Sequence, residues 1–155
     1  QLDRFMIRLH LGYPEFADEM NLLKDRHTEN PLDSVRQVAD KEALLKMQKE
    51  AVAVHMADSL YEYVTRLSRA TREHAMITLG LSSRGALAVC RMAKAHAYME
   101  GRDYAVPEDV AAIFADVSGH RVILSPKAKM TETSASSVIE SVLASVPMPA
   151  AGRGE

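Results

Sequence analysis

The sequence has no tryptophan and a single cysteine, and aromatic residues make up only 5% of it. One thiol, Cys90, excludes an internal disulfide framework and fits a reducing compartment. Cys90 lies in an apolar helical stripe, where core packing explains it better than catalysis. No apolar run reaches the roughly 18 residues that a membrane-spanning helix needs, and no signal-peptide pattern is present. The net charge of −2 leaves no broad basic surface to argue for nucleic acid. His10, His27, His55, His74, His96 and His120 are scattered, and none pairs with another His, Cys or carboxylate at metal-ligand spacing. There is no G-x-x-x-x-G-K-[ST] loop, no acidic strand end for Mg²⁺ and no G-x-G-x-x-G. Nor does a Ser/His/Asp or Cys/His set suggest itself, so the chain by itself has no recognisable active site.

What is present favours helices. The 155 residues suffice for one domain with a real core, and 47% are hydrophobic and 26% charged. Nine Met point to adaptable packing. The chain begins at Gln1 directly in a strand-like pattern, and so reads as a piece of a longer protein. Phe5, Ile7, Leu9 and Leu11 alternate with Met6, Arg8 and His10, which predicts a half-buried strand. A lone strand cannot bury itself. Its partner is either a neighbour or the segment Val122–Leu124.

Further along, Pro14 can open a short helix reaching Arg26, with Phe16, Met20 and Leu23 on one side. Asp40 should cap a helix to about Val54, whose buried stripe is Leu44, Leu45, Met47, Gln48, Ala51 and Val52. Asp58 or Ser59 should cap the next, which carries Leu60, Tyr61, Val64 and Leu67. Arg66, Arg69 and Arg72 near its end suit the helix dipole, and a solvated face explains them better than a partner site. Residues 74–81 read as a loop whose apolar run must pack on something. Beyond it, Leu87, Cys90, Arg91, Lys94 and Ala97 should line one face of the following helix, which Gly101 stops. Pro107, Glu108 and Asp109 start another, with Val110, Ile113, Phe114 and Val117 as its stripe. Ser125 to Thr133 reads as a polar linker. Ser134 should cap a last amphipathic helix, which Pro147 ends.

The stretch Gly80-Leu81-Ser82-Ser83-Arg84-Gly85 organises the rest. Ser82 is a helix N-cap by chemistry. Arg84 falls in the first turn, where a cation is unfavourable by about 0.3–1 kcal/mol. A guanidinium beside free helix N–H groups is, on the other hand, a ready phosphate site. Composition alone favours a solvated surface arginine.

Several segments must be read together: Gln1-Leu2-Asp3-Arg4-Phe5; Leu11-Gly12-Tyr13-Pro14; Tyr63-Val64-Thr65-Arg66-Leu67 with Ala70-Thr71-Arg72; Gly80 to Gly85; Gly101-Arg102-Asp103-Tyr104-Ala105-Val106-Pro107-Glu108-Asp109-Val110; His120 to Leu124; and Ser145-Val146-Pro147-Met148-Pro149. In this order and spacing the chain resembles the C-terminal part of a MoxR-type AAA+ ATPase over nearly its whole length. The resemblance implies that Arg4 is an arginine finger toward a neighbour's ATP. It also implies that Arg84 is the sensor-2 arginine, reaching from the lid to the γ-phosphate. Tyr13 and Pro14 would sit at the core–lid hinge, there either to touch adenine or to pack the hinge. Ser83 stands where the family often has Pro, and Val106 where Thr or Ser usually caps.

The expected fold is therefore all-α, a small helical bundle forming a AAA+ C-terminal lid, with an N-terminal orphan strand and short extended segments. Residues 1–14 would be the last core strand and hinge, 15–124 the lid, 125–133 a linker, 134–147 a C-terminal helix and 148–155 a disordered tail. The implied parent uses ATP and Mg²⁺. It forms a cytoplasmic ring, a hexamer, from its own AAA+ core and neighbouring subunits, and remodels or matures other proteins, often with a von Willebrand A-domain partner that binds metal. This chain alone should neither hydrolyse ATP nor bind it tightly, because the nucleotide loop and Mg²⁺ site would precede Gln1. No metal site, nucleic acid or membrane is expected. The alternative is a free-standing helical interaction or regulatory module, and a helix-turn-helix mimic is disfavoured by the charge.

Overall fold

The computed structural model describes residues 2–25 and 31–150. The chain divides into two compact units, Leu9–Met47 and a larger one formed by Gln1–Arg8 with Gln48–Glu155. The smaller unit holds helix α1 (Phe16–Asp25) and the start of α2 (Lys41–Ala53). Asp18 and Glu19 in its first turn and Lys24 in its last match the dipole of α1. Asp40 caps α2, as expected, by accepting a hydrogen bond from the Ala43 N–H at 2.7 Å. The predicted burial of α2 is not found. No residue of α2 is buried. Leu44, Leu45, Met47 and Val52 are exposed, as are Phe16, Met20 and Leu23 of α1. The helical periodicity is real, but it does not become a buried stripe.

In the larger unit, α3 (Asp58–Glu73), α4 (Ser83–Met99), α5 (Pro107–Ser118) and α7 (Ala135–Ser145) form the bundle. α4 packs against both α3 and α5, and α7 closes on α3 and α5. The core draws Leu60, Val64 and Leu67 from α3, Phe114 and Val117 from α5, and Ile139 and Val142 from α7. On α4 the buried residues are small: Gly85, Ala88, Ala93 and Ala97, with Val89. Their size lets the helices approach closely. The face predicted from Leu87 and Cys90 is displaced, because Leu87 is exposed and Cys90 only half-buried. Ala57, not Asp58 or Ser59, is the N-cap residue of α3, and its methyl group makes no cap bond. Asp58 is instead an acidic first-turn residue, favourable through the dipole.

α4 ends in a Schellman motif. The Gly101 N–H donates to Tyr98 O and the Arg102 N–H to Ala97 O, both at 2.9 Å, and Gly101 takes φ +74°. A buried carboxylate then joins this end of α4 to the start of α5. Asp109 accepts from the Val106 N–H at 2.7 Å, from Arg102 Nη1 and Nη2 at 2.8 and 2.6 Å, and faces His96 Nδ1 at 2.7 Å. Burial by itself would push the Asp109 carboxyl up. The bonds from Arg102, Val106 and His96 outweigh it and hold the pKa below the usual carboxylate value.

Two sequence expectations for the extended segments are corrected. Residues 5–11 form no strand: after a 3-10 turn at Leu2–Arg4 the backbone runs irregularly. A two-stranded antiparallel pair lies elsewhere, between β1 (Ile77–Leu79) and β2 (Ile123–Leu124), with Ile77 opposite Leu124. The apolar run of the 74–81 loop thus supplies the partner that Val122–Leu124 was expected to find at the N-terminus. The 125–133 linker contains helix α6 (Pro126–Met130), capped by Ser125 and anchored by the fully buried Ala128. Ser134 caps α7 as expected, accepting from the Ser137 N–H at 3.1 Å. In the expected C-terminal tail, residues 151–155 lie outside the described residues.

Asp109→Ala should cost about 3 kcal/mol at neutral pH, by breaking a buried ion pair and leaving Arg102 without its carboxylate. Because folding depresses the Asp109 pKa, its contribution is present above the unfolded value of 3.8 and is lost as pH falls through the lower folded value. Urea unfolding of both chains at neutral and acid pH checks this. Equal midpoints at pH 7 would contradict it.

Candidate functional site

The start of α4 is fixed by the end of α3. Thr71 Oγ1 donates to Ser68 O at 2.6 Å and accepts from the Leu81 N–H at 2.8 Å. Arg72 Nε donates to Leu81 O at 2.8 Å. Leu81 is therefore held by both backbone groups and has no exposed surface. The two glycines of the motif follow from this packing. A Cβ on Gly80 would lie 2.7 Å from the Arg72 N and Cα, so the loop can rest on that backbone only without a side chain. A Cβ on Gly85 would come within 2.4 Å of Leu81 Cδ1 and 3.0 Å of Arg121 Cδ.

Ser82 has extended backbone and caps α4 as the sequence predicts, accepting from the Gly85 N–H at 3.1 Å. Arg84 follows in the first turn, exposed. It makes no ion pair among the described residues, and that turn carries no acidic side chain. An exposed guanidinium beside the N-terminus of a 17-residue helix is chemically an anion receptor.

Arg4 is also exposed, at the end of the 3-10 turn. Its neighbour Asp3 is not free: Arg121 Nε donates to Asp3 Oδ1 at 3.2 Å, and Ser82 Oγ lies 3.5 Å from the same oxygen. The structure thus brings together the segments that carry Arg4 and Arg84. Tyr13 and Pro14 belong to the smaller unit and are both exposed, Tyr13 by 98%.

Nearby cations divide into different roles. Arg66 and Arg69 form exposed pairs one turn away with Glu62 and Glu73, at 3.3 and 3.9 Å, which agrees with a solvated face. Arg72 is structural. An open groove of about 770 Å³ between α3 and α4 is lined by Tyr61, Arg69, Arg72, Ser83, Leu87 and Cys90. Burial pushes the Cys90 thiol up despite nearby Lys94, so it is a poor nucleophile. Among the described residues no His, Cys, Asp or Glu group of three or more could hold a metal ion.

Sequence reasoning missed Arg121. Its side chain is 2% exposed, and its partners in the N-terminal segment are more than a hundred residues away, beyond any local pattern. The same distance hides Asp3. The available signal was an arginine between His120 and the apolar run Val122-Ile123-Leu124.

Comparison with known proteins places these features in context. Residues 69–142 match the family model for the AAA lid domain. The chain is 33% identical over 96% of its length to the uncharacterised protein YeaC of Bacillus subtilis, covering 47% of that protein. It is 30% identical to the chaperone MoxR1 of Mycobacterium tuberculosis over 96% of its length, covering 41% of that relative. A crystal structure of a protein provisionally named an ATPase, from Cytophaga hutchinsonii, superposes with a TM-score of 0.86 at 31% identity, over 96% of this chain and 48% of the other. The chain spans less than half the length of these relatives.

Gly80→Ala should destabilise the chain by about 2 kcal/mol, because its Cβ must displace backbone rather than a flexible side chain. The exposed Leu87→Ala should stay within about 0.5 kcal/mol. Thermal melts of the two variants check the contrast, and equal melting would show that the loop is not seated on α3.

Proposed function

Because the chain belongs to the MoxR family of AAA+ ATPases, as their C-terminal lid region, we propose that it couples ATP turnover in its parent to remodelling or maturation of partner proteins. On this reading Arg84 is the sensor-2 residue that meets the γ-phosphate. The observation that carries it is the exposed Arg84 in the first turn of α4, with no acidic neighbour in that turn. The residues fit a phosphate: a planar fork of N–H donors stands where the helix dipole also favours an anion. Arg4, exposed on the segment moored beside Ser82, is the arginine finger toward the nucleotide of a neighbouring subunit.

Phosphoryl transfer is catalysed mainly by positioning and by stabilising charge on the transferred group. MgATP supplies that group. The lid contributes cations held in place by its own packing: Leu81 and the two glycines fix where α4 begins, and so where Arg84 stands. The nucleotide-cradling loop and the Mg²⁺ ligands belong to the parent's core on this reading, and Tyr13 and Pro14 to the hinge on its adenine side. The parent works in the cytoplasm as a ring, a hexamer, alongside a von Willebrand A-domain protein. The relative named a chaperone supports the remodelling role; among the described residues no helix is long and apolar enough to cross a membrane.

Arg84→Ala in the full-length ATPase should lower ATP turnover by about 100-fold, with the lid's melting temperature unchanged because the side chain is exposed. A steady-state ATPase assay with a parallel melt tests this. Normal turnover in the folded variant would remove the sensor role.

A further inference from the structure

We propose that Arg121 is a positioning residue that locks the Arg4 segment to the start of α4, so that the arginine finger and the phosphate sensor move as one body. The inference rests on the reading of Arg4 as a finger and of Arg84 as a sensor.

The Arg121 guanidinium is buried, yet only one of its contacts is to a carboxylate. Nε bonds Asp3 Oδ1 at 3.2 Å. Nη1 bonds Met6 O at 3.1 Å and also Val117 O. Nη2 bonds Phe5 O, with Asp3 O at 3.4 Å. Burying a charge costs several kcal/mol unless it is fully hydrogen-bonded, and here the backbone of the N-terminal segment supplies most of the acceptors. The reach of the guanidinium fork therefore dictates the path of residues 3–6.

Other contacts bring the same segment to the same place. His120 Nε2 lies 3.1 Å from Phe5 O, and the Arg8 N–H donates to Asp116 O at 3.0 Å. On its other side, the Arg121 stem abuts the first turn of α4, since a Cβ on Gly85 would meet Cδ at 3.0 Å. Asp3 completes the link by facing Ser82, the cap of α4. One buried side chain thus joins the end of α5, the start of α4 and the segment bearing Arg4. A shift of α4 on sensing phosphate at Arg84 would carry Arg4 with it, and a neighbouring subunit's nucleotide would register the change. Neither arginine has to touch the other for this coupling.

A double-mutant cycle in the full-length ATPase tests the proposal. Arg4→Ala should lower kcat by about 10³-fold or more. Arg121→Ala should lower kcat by about 100-fold, the scale of a misplaced catalytic group, with KM for ATP changed less than threefold. In the Arg4→Ala background Arg121→Ala should then cost less than threefold, because the residue it positions is gone. Should Arg121→Ala fail to fold, Asp3→Ala serves the same cycle, since Asp3 is 44% exposed; it should lower kcat about tenfold alone and not at all without Arg4. Multiplicative losses in either cycle, or a loss in KM rather than kcat, would overturn the positioning role while leaving the finger intact. Normal turnover in Arg4→Ala would instead overturn the finger reading, and the proposal with it.

Discussion

The seating of Leu81 on the end of α3 is the contact on which the rest of the larger unit depends. Its side chain is inside the core, and both its backbone groups are paired with α3, through Thr71 and Arg72. Such a residue cannot shift without exposing apolar surface and orphaning two buried polar groups together, each costing about 1–3 kcal/mol. α4 therefore starts at a defined point, Ser82, and Arg84 is delivered to solvent two residues later. The glycines are consequences of this seating. Gly80 is required by the Arg72 backbone and Gly85 by the Leu81 side chain. The motif is a packing solution that leaves Arg84 facing solvent.

The opposite end of α4 is equally constrained, by the Schellman motif at Gly101 and by the Asp109 carboxylate with its Arg102, Val106 and His96 partners. Fixed at both ends and lined by small residues, α4 is seated between α3 and α5. Arg121 extends the same logic to the N-terminal segment, using buried charge to hold irregular backbone that has no ladder of its own.

Local chemistry was legible in the sequence except at the start of α3, where Ala57 and not Asp58 or Ser59 is the N-cap residue, and long-range partnership was not. The caps at Asp40, Ser82 and Ser134 and the stop at Gly101 depend on atoms within a few residues, and each stands where the pattern put it. Helix α6 carried the same kind of signal, Ser125 followed by Pro126, hidden by the polarity of the surrounding stretch. The strand pattern at residues 5–11 misled because alternation reports a possible strand, whereas a ladder needs a partner edge; here Arg121 and Asp116 take the backbone instead. The stripe of α2 shows the converse, a correct helix on which no residue is buried. The candidate arginines came from the order of motifs. Their supports, Asp3 and Arg121, could not, since 118 residues separate them.

The most direct test of the central claim is the ratio of ADP to ATP dissociation constants for the full-length ATPase and its Arg84→Ala variant. A residue that meets the γ-phosphate acts on ATP alone. The variant should therefore lose about tenfold or more in affinity for ATP, a change of about 1.4 kcal/mol, with ADP binding unaltered. If both nucleotides weaken equally, or neither weakens, Arg84 does not sense the γ-phosphate and its assignment as the sensor of this lid is wrong.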